Sequence, residues 1–106
     1  MIELLNNLKL NLYNIIYEFQ SGHDNSAVIR VGSLSQEISK IMWNMNQNGM
    51  SNIIENDGRK LNNILLNVAN SIKTENYILI DDLLEYEFIP MIDEWISKLD
   101  PLKGDV

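Results

Sequence analysis

The chain has 106 residues, 45% of them hydrophobic and 22% charged, with a formal net charge of −7 and no cysteine. This is the length of a single domain (1–106) with enough apolar residues for a continuous core, and the missing cysteines exclude disulfides, thiolate nucleophiles and thiolate metal sites. The acidic balance argues against nucleic acid and anionic membrane as partners, and no apolar run approaches the roughly 20 residues of a membrane span.

The N-terminus, Met1-Ile2-Glu3-Leu4-Leu5, lacks the basic, apolar and small-residue pattern of a signal peptide, so a cytoplasmic protein is expected. From there Leu5, Leu8, Leu12, Ile15 and Phe19 recur at steps of three and four, which predicts a first helix buried along one stripe. Ser21-Gly22 ends it, because glycine takes the left-handed conformation past a helix terminus without steric penalty. Asp24, Asn25 or Ser26 is expected to cap a second helix, whose stripe is Ala27, Val31, Leu34, Ile38, Ile41 and Met45. Gly32 and Ser35 lower its helix propensity and are small enough to permit a close helix approach. Asn48-Gly49 stops it.

The third segment starts with an ambiguity. Met50 to Asp57 reads either as a first turn or as a separate short helix before a break at Gly58, with Ser51 or Asp57 as the cap. Beyond it Leu61, Ile64, Leu65, Val68 and Ile72 form a clear stripe. A fourth helix is expected from near Thr74–Asn76 to about Leu99, with Tyr77, Ile80, Leu84, Phe88, Met91, Trp95 and Leu99 inward. Ile78, Leu79, Leu83, Ile89, Ile92 and Ile96 broaden that face, so this helix needs cover on more than one side. Pro90 cannot donate to the Tyr86 carbonyl and its ring crowds that oxygen, which predicts a kink or break between them, bending the helix around the core. Asp100 to Val106 reads as a frayed tail. Short links between long helices favour antiparallel neighbours. The predicted architecture is all-α: an antiparallel up-and-down four-helix bundle, helix four kinked at Pro90, with an optional short helix before Gly58.

Catalytic chemistry finds little support. The single histidine, His23, lies in the first loop without the Glu-x-x-His partners of a carboxylate-bridged metal pair, and reads as a solvated loop residue. No serine has a histidine base in its own segment except through that loop, and no glycine-rich loop follows a strand. Asp81 and Glu85 share a helix face and, with Asp82, define the alternative reading of a small metal-dependent enzyme or metal-binding protein. A solvated helix face produces the same pattern more often. No catalytic, cofactor-binding or metal-binding residue is therefore assigned.

The stretch Asn76-Tyr77-Ile78-Leu79-Ile80-Asp81-Asp82-Leu83-Leu84-Glu85-Tyr86-Glu87-Phe88-Ile89-Pro90, followed by Trp95, resembles a helix in a family of small all-helical proteins of Firmicutes. That helix reads D-Y-x-L-L-A-D-L-L-E-Y-E-L-x-P; this chain's departures from it include Asn76 and Asp81. The resemblance implies no activity, cofactor or site residue. The residues themselves point to a non-enzymatic interaction module, a small chaperone, adaptor or regulator. Asp82, Glu85, Tyr86, Glu87 and Pro90 make an acid-flanked surface for a basic amphipathic partner helix or for a second copy, and Trp43, which falls off the stripe of helix two, is a further contact candidate.

Overall fold

The computed structural model describes residues 1–99, and among them all regular structure is helical. The first stripe folds as α1 (Ile2–Gln20), burying Leu5, Leu8, Leu12, Ile15, Ile16 and Phe19. The second folds as α2 (Asp24–Gln47), and the third as one unbroken α3 (Ser51–Lys73). The last stretch is α4 (Tyr77–Leu83), a π-helical turn (Leu84–Phe88) and α5 (Ile89–Leu99), which follow one another without a gap. The tail at 100–106, expected to fray, lies outside the described residues. No helix among the described residues is long and apolar enough to cross a membrane.

All three turns between long helices close by the same device. A residue with positive φ follows the helix terminus, and the next amide reaches back five residues to a free carbonyl. Gly22 (φ 82°) does this after α1, with His23 N–H donating to the Glu18 carbonyl at 2.8 Å. Gly49 (φ 74°) does it after α2, with Met50 N–H on the Met45 carbonyl at 2.9 Å. After α3 the position falls to Glu75 (φ 56°), and Asn76 N–H reaches the Ser71 carbonyl at 2.8 Å. Asn76 then caps α4, its side-chain oxygen accepting from Leu79 N–H at 3.2 Å.

Four expectations need correction. Asp24, Asn25 and Ser26 do not cap α2: His23 holds the cap position without a side-chain bond, and Asp24 already lies in the first turn. No short helix precedes Gly58, because α3 runs straight through it. A mid-helix glycine costs only about 1 kcal/mol relative to alanine, and the Asp57 carboxylate, expected as a cap, instead accepts from Trp95 Nε1 at 2.6 Å across the fold. Gly32 supports no close approach, since a Cβ there would meet nothing within 4 Å. At Pro90 the helical stretch does not break. Ile89 N–H bonds back to the Leu84 carbonyl, five residues earlier, so the turn ahead of the proline is widened and Pro90 falls in the first turn of α5, where a missing N–H is tolerated.

The π turn also settles how so broad an apolar helix is buried. Ile80, Leu84, Phe88, Ile92 and Ile96 step by four and are all buried. In an uninterrupted α-helix four such steps rotate the row by about 160°; one extra residue in the turn takes much of that rotation back. Cover comes from two sides, for α1 packs against α4, the π turn and α5, while α3 packs against α4 and the π turn. α2 adjoins α1 and α3. Trp95, almost fully buried, is pinned from α3 by Asp57.

Polar contacts fix the pairing of α1. Asn11 donates to both carboxylate oxygens of Glu37 at 3.1 and 2.9 Å, and Arg30 pairs with Glu18, both between α1 and α2. Phe19 stacks on Tyr77 with ring centroids 5.1 Å apart, and Lys9 pairs with Asp93 on α5.

Candidate functional site

Between Lys73 and Lys98 the chain carries no lysine, arginine or histidine, while Glu75, Asp81, Asp82, Glu85, Glu87, Asp93 and Glu94 fall in that interval. The fold turns this imbalance into a surface. Asp82, Glu85, Tyr86, Glu87 and Pro90 are all exposed along α4, the π turn and the start of α5, and Tyr86 is 69% exposed. The π turn places Tyr86 between two carboxylates on the outer side of a segment whose Leu84 and Phe88 are wholly buried. Trp43 is also exposed but lies on α2, so it belongs to a different surface from the other five.

A neighbouring element was missed from sequence. Leu10, Tyr13 and Tyr17, at steps of three and four, form an exposed stripe on α1. Lys9 reaches Asp93 and Phe19 stacks on Tyr77, so the part of α1 carrying these residues runs beside α4, the π turn and α5. The signal was available: the three residues share one side of a helical wheel, opposite the core stripe. Leu10 and Tyr13 thus place exposed apolar and aromatic surface on the helix beside the acidic strip, while Tyr17 lines the depression between α1 and α2.

Asp81 sits at the inner edge of the acidic strip and is only partly exposed. One of its carboxylate oxygens is buried without a hydrogen-bond partner. Burial, and then the charges of Asp82, Glu85 and Asp24, push its carboxyl up to about 6. Glu18 presents the opposite case: Ser26 beside it and the Arg30 guanidinium hold its carboxyl below the usual range, against the effect of burial. Glu18, Ser26 and Arg30 border an open depression between α1 and α2 that His23 also lines.

Although Asp24, Asp81, Asp82 and Glu85 repel one another, no three histidine or acidic side chains among the described residues converge as a metal-ion site would require. The arrangement offers a solvated acidic rim beside apolar rings, suited to a cationic, partly apolar ligand of macromolecular size.

Comparison with known proteins returns no curated relative and no solved structure that matches the chain. One family model does match, over residues 1–98, nearly the whole sequence. The chain therefore belongs to the family described as "Domain of unknown function (DUF8042)".

Proposed function

We propose that the protein is a non-enzymatic interaction module of the cytoplasm, a small chaperone, adaptor or regulator, that receives a basic amphipathic helix of another protein on the face formed by α4, the π turn and α1. The single observation that carries this reading is Tyr86, an aromatic ring held out to solvent by the π turn between Glu85 and Glu87. Leu10 and Tyr13, exposed on the adjoining α1, supply apolar surface beside it. A cationic helix gains long-range attraction from the acidic rim and buries its apolar side against the rings. The family resemblance carried by Asn76–Pro90 is, on this reading, that of a contact helix.

The scaffold is read as an up-and-down four-helix bundle of antiparallel neighbours, its last member interrupted by the π turn. Two sets of contacts support this. Asn11–Glu37 and Glu18–Arg30 climb α1 while descending α2. Lys9–Asp93 and Phe19–Tyr77 do the same between α1 and the last stretch.

The test is titration of the protein with a synthetic Lys/Leu amphipathic helical peptide, followed calorimetrically at two salt concentrations, together with a pull-down from native lysate. Binding is expected to weaken about tenfold or more in Glu85→Lys and in Tyr86→Ala, and to fall as salt rises. Binding that survives both substitutions would eliminate this surface.

A further inference from the structure

A second face differs in chemistry from the acidic one. On α2 and α3 together, Asp24, Glu37, Glu55 and Asp57 are outnumbered by Arg30, Lys40, Arg59, Lys60 and Lys73. Glu37 and Asp57 are engaged by Asn11 and Trp95, and Arg30 by Glu18, so this face is close to neutral. The outward stripe of α2 runs Ile29, Gln36, Trp43 at intervals of seven, all exposed, with Ile29 at 75%. That of α3 runs Glu55, Arg59, Asn62, Leu66, Ala69, Lys73 at steps of four and three, also all exposed. Between the helices lies an apolar groove of about 280 Å³, lined by Val31, Gly32 and Ser35 on one side and Leu65, Ala69 and Ile72 on the other. This lining places Gln36 roughly level with the α3 turn around Ile64.

Each stripe carries one matched pair about that one level. On α2, Ile29 and Trp43 lie equally far to either side of Gln36. On α3, Glu55 and Lys73 lie equally far to either side of Ile64, as do Asn62 and Leu66. No intramolecular ion pair engages Glu55, Arg59 or Lys73 among the described residues. A two-fold axis crossing both helices at this level sets α2 antiparallel to α2 and α3 antiparallel to α3 of a second copy. Ile29 then faces Trp43 of the second copy, and Glu55 faces its Lys73, each contact made twice.

We infer that two copies of this chain associate face to face through α2 and α3 about such an axis. Charge selects the occupant. A second copy carries the same net charge of −7, so it is repelled by the acidic strip and meets least repulsion here, where the opposite charges of Glu55 and Lys73 match themselves on inversion. A cationic partner is drawn instead to α4 and α5. The inference is independent of the function proposed above, and the two faces leave each other free.

Sedimentation equilibrium of the full chain over a range of concentrations at low salt tests it. A reversible monomer–dimer equilibrium is expected. Trp43→Ala should weaken it about thirtyfold, and Lys73→Glu or Glu55→Lys alone about tenfold, because each sets like charges opposite one another twice. The double exchange Glu55→Lys with Lys73→Glu should restore the dimer to within about threefold of the parent. All four residues involved in these contacts are exposed, so helicity and Tm of each variant, read at monomeric concentrations, should match the parent. A monomer at every concentration overturns the inference. So does a double exchange no better than the single ones, or a dimer dissolved by Glu85→Lys rather than by these changes.

Discussion

The two halves of the last helical stretch meet at the π turn and are held in opposite ways. In α5, Trp95 is buried and its indole N–H has a charged acceptor in Asp57. Met91, Ile92 and Ile96 are buried with it. In α4, the chain arrives through Glu75 in a left-handed conformation, leaves Ile78 largely exposed, and keeps Asp81 among three other carboxylates with one oxygen unpaired. A carboxylate near the core stabilises the fold when a donor reaches it and opposes the fold when only like charges do. The helical fold is therefore anchored at α5, while α4 carries the charge that its own neighbours resist. On the function proposed above, that is the half on which a cationic partner would relieve repulsion as it binds.

The strongest way to break this contrast is to remove the anchor. Asp57→Ala leaves the buried Trp95 N–H without its acceptor and should cost about 2 kcal/mol, on the order of 10 °C in Tm for a domain of this size. Urea denaturation of Asp57→Ala, Trp95→Phe and the double variant checks the cause. If the indole–carboxylate bond carries the effect, the double variant loses clearly less than the two single changes added together. Additive losses would mean that Asp57 and Trp95 act separately.

A smaller effect, of the opposite sign, is expected in α4. The folded-state pKa of Asp81 is raised from 3.8 to about 6, so the folded protein holds this proton more tightly than the unfolded chain does. The associated stability is fully present below about 3.8 and is lost as the pH rises through about 6. Between pH 7 and pH 5 the parent should gain on the order of 1 kcal/mol, a figure discounted because the side chain is partly exposed and solvent screens its neighbours' charges. Glu18 is shifted the other way and loses its contribution only as pH falls further, below the ordinary glutamate range. Asp81→Asn should gain about the same amount at pH 7 and flatten the stability profile between pH 5 and 7. A profile unchanged by the substitution would assign the pH dependence to another group.

How far the sequence foretold this contrast depends on which forces were local. Core stripes were legible because steps of three and four report burial directly: Leu5, Leu8, Leu12, Ile15 and Phe19 are all inside. The turns at Gly22 and Gly49 were legible because positive φ is nearly free for glycine alone. Gly58 misled, since its local penalty is small and the fate of Asp57 was decided by a tryptophan 38 residues away. Pro90 pointed to the right place, and the irregularity there is a π turn ahead of the proline. The clue to the π turn was the strict four-residue step from Ile80 to Ile96, which a regular α-helix cannot keep on one face. Of the candidate contact residues, Asp82, Glu85, Tyr86, Glu87 and Pro90 share one exposed strip and Trp43 stands apart on α2. Leu10, Tyr13 and Tyr17 went unseen because an apolar residue away from the core stripe has no periodic signature of burial, only of position.

The smallest expected effect tests the entrance to α4. The turns after α1, α2 and α3 close with the same five-residue hydrogen bond, yet only the third does so through a residue with a side chain, Glu75 at φ 56°. A left-handed conformation costs an L-residue roughly 1–2 kcal/mol that glycine avoids, while glycine gives back part of that gain by loosening the unfolded chain. Glu75→Gly should therefore stabilise the protein by about 0.5–1 kcal/mol. Glu75→Asn, which tolerates the same conformation better than most residues, should gain less. Chemical denaturation ranks the three, and hydrogen exchange shows where the gain falls. In the parent, α4 amides are expected to exchange faster than those of α5, and Glu75→Gly should slow α4 selectively. If every helix slows equally, α4 has no separate opening, and the asymmetry across the π turn is one of chemistry without being one of stability.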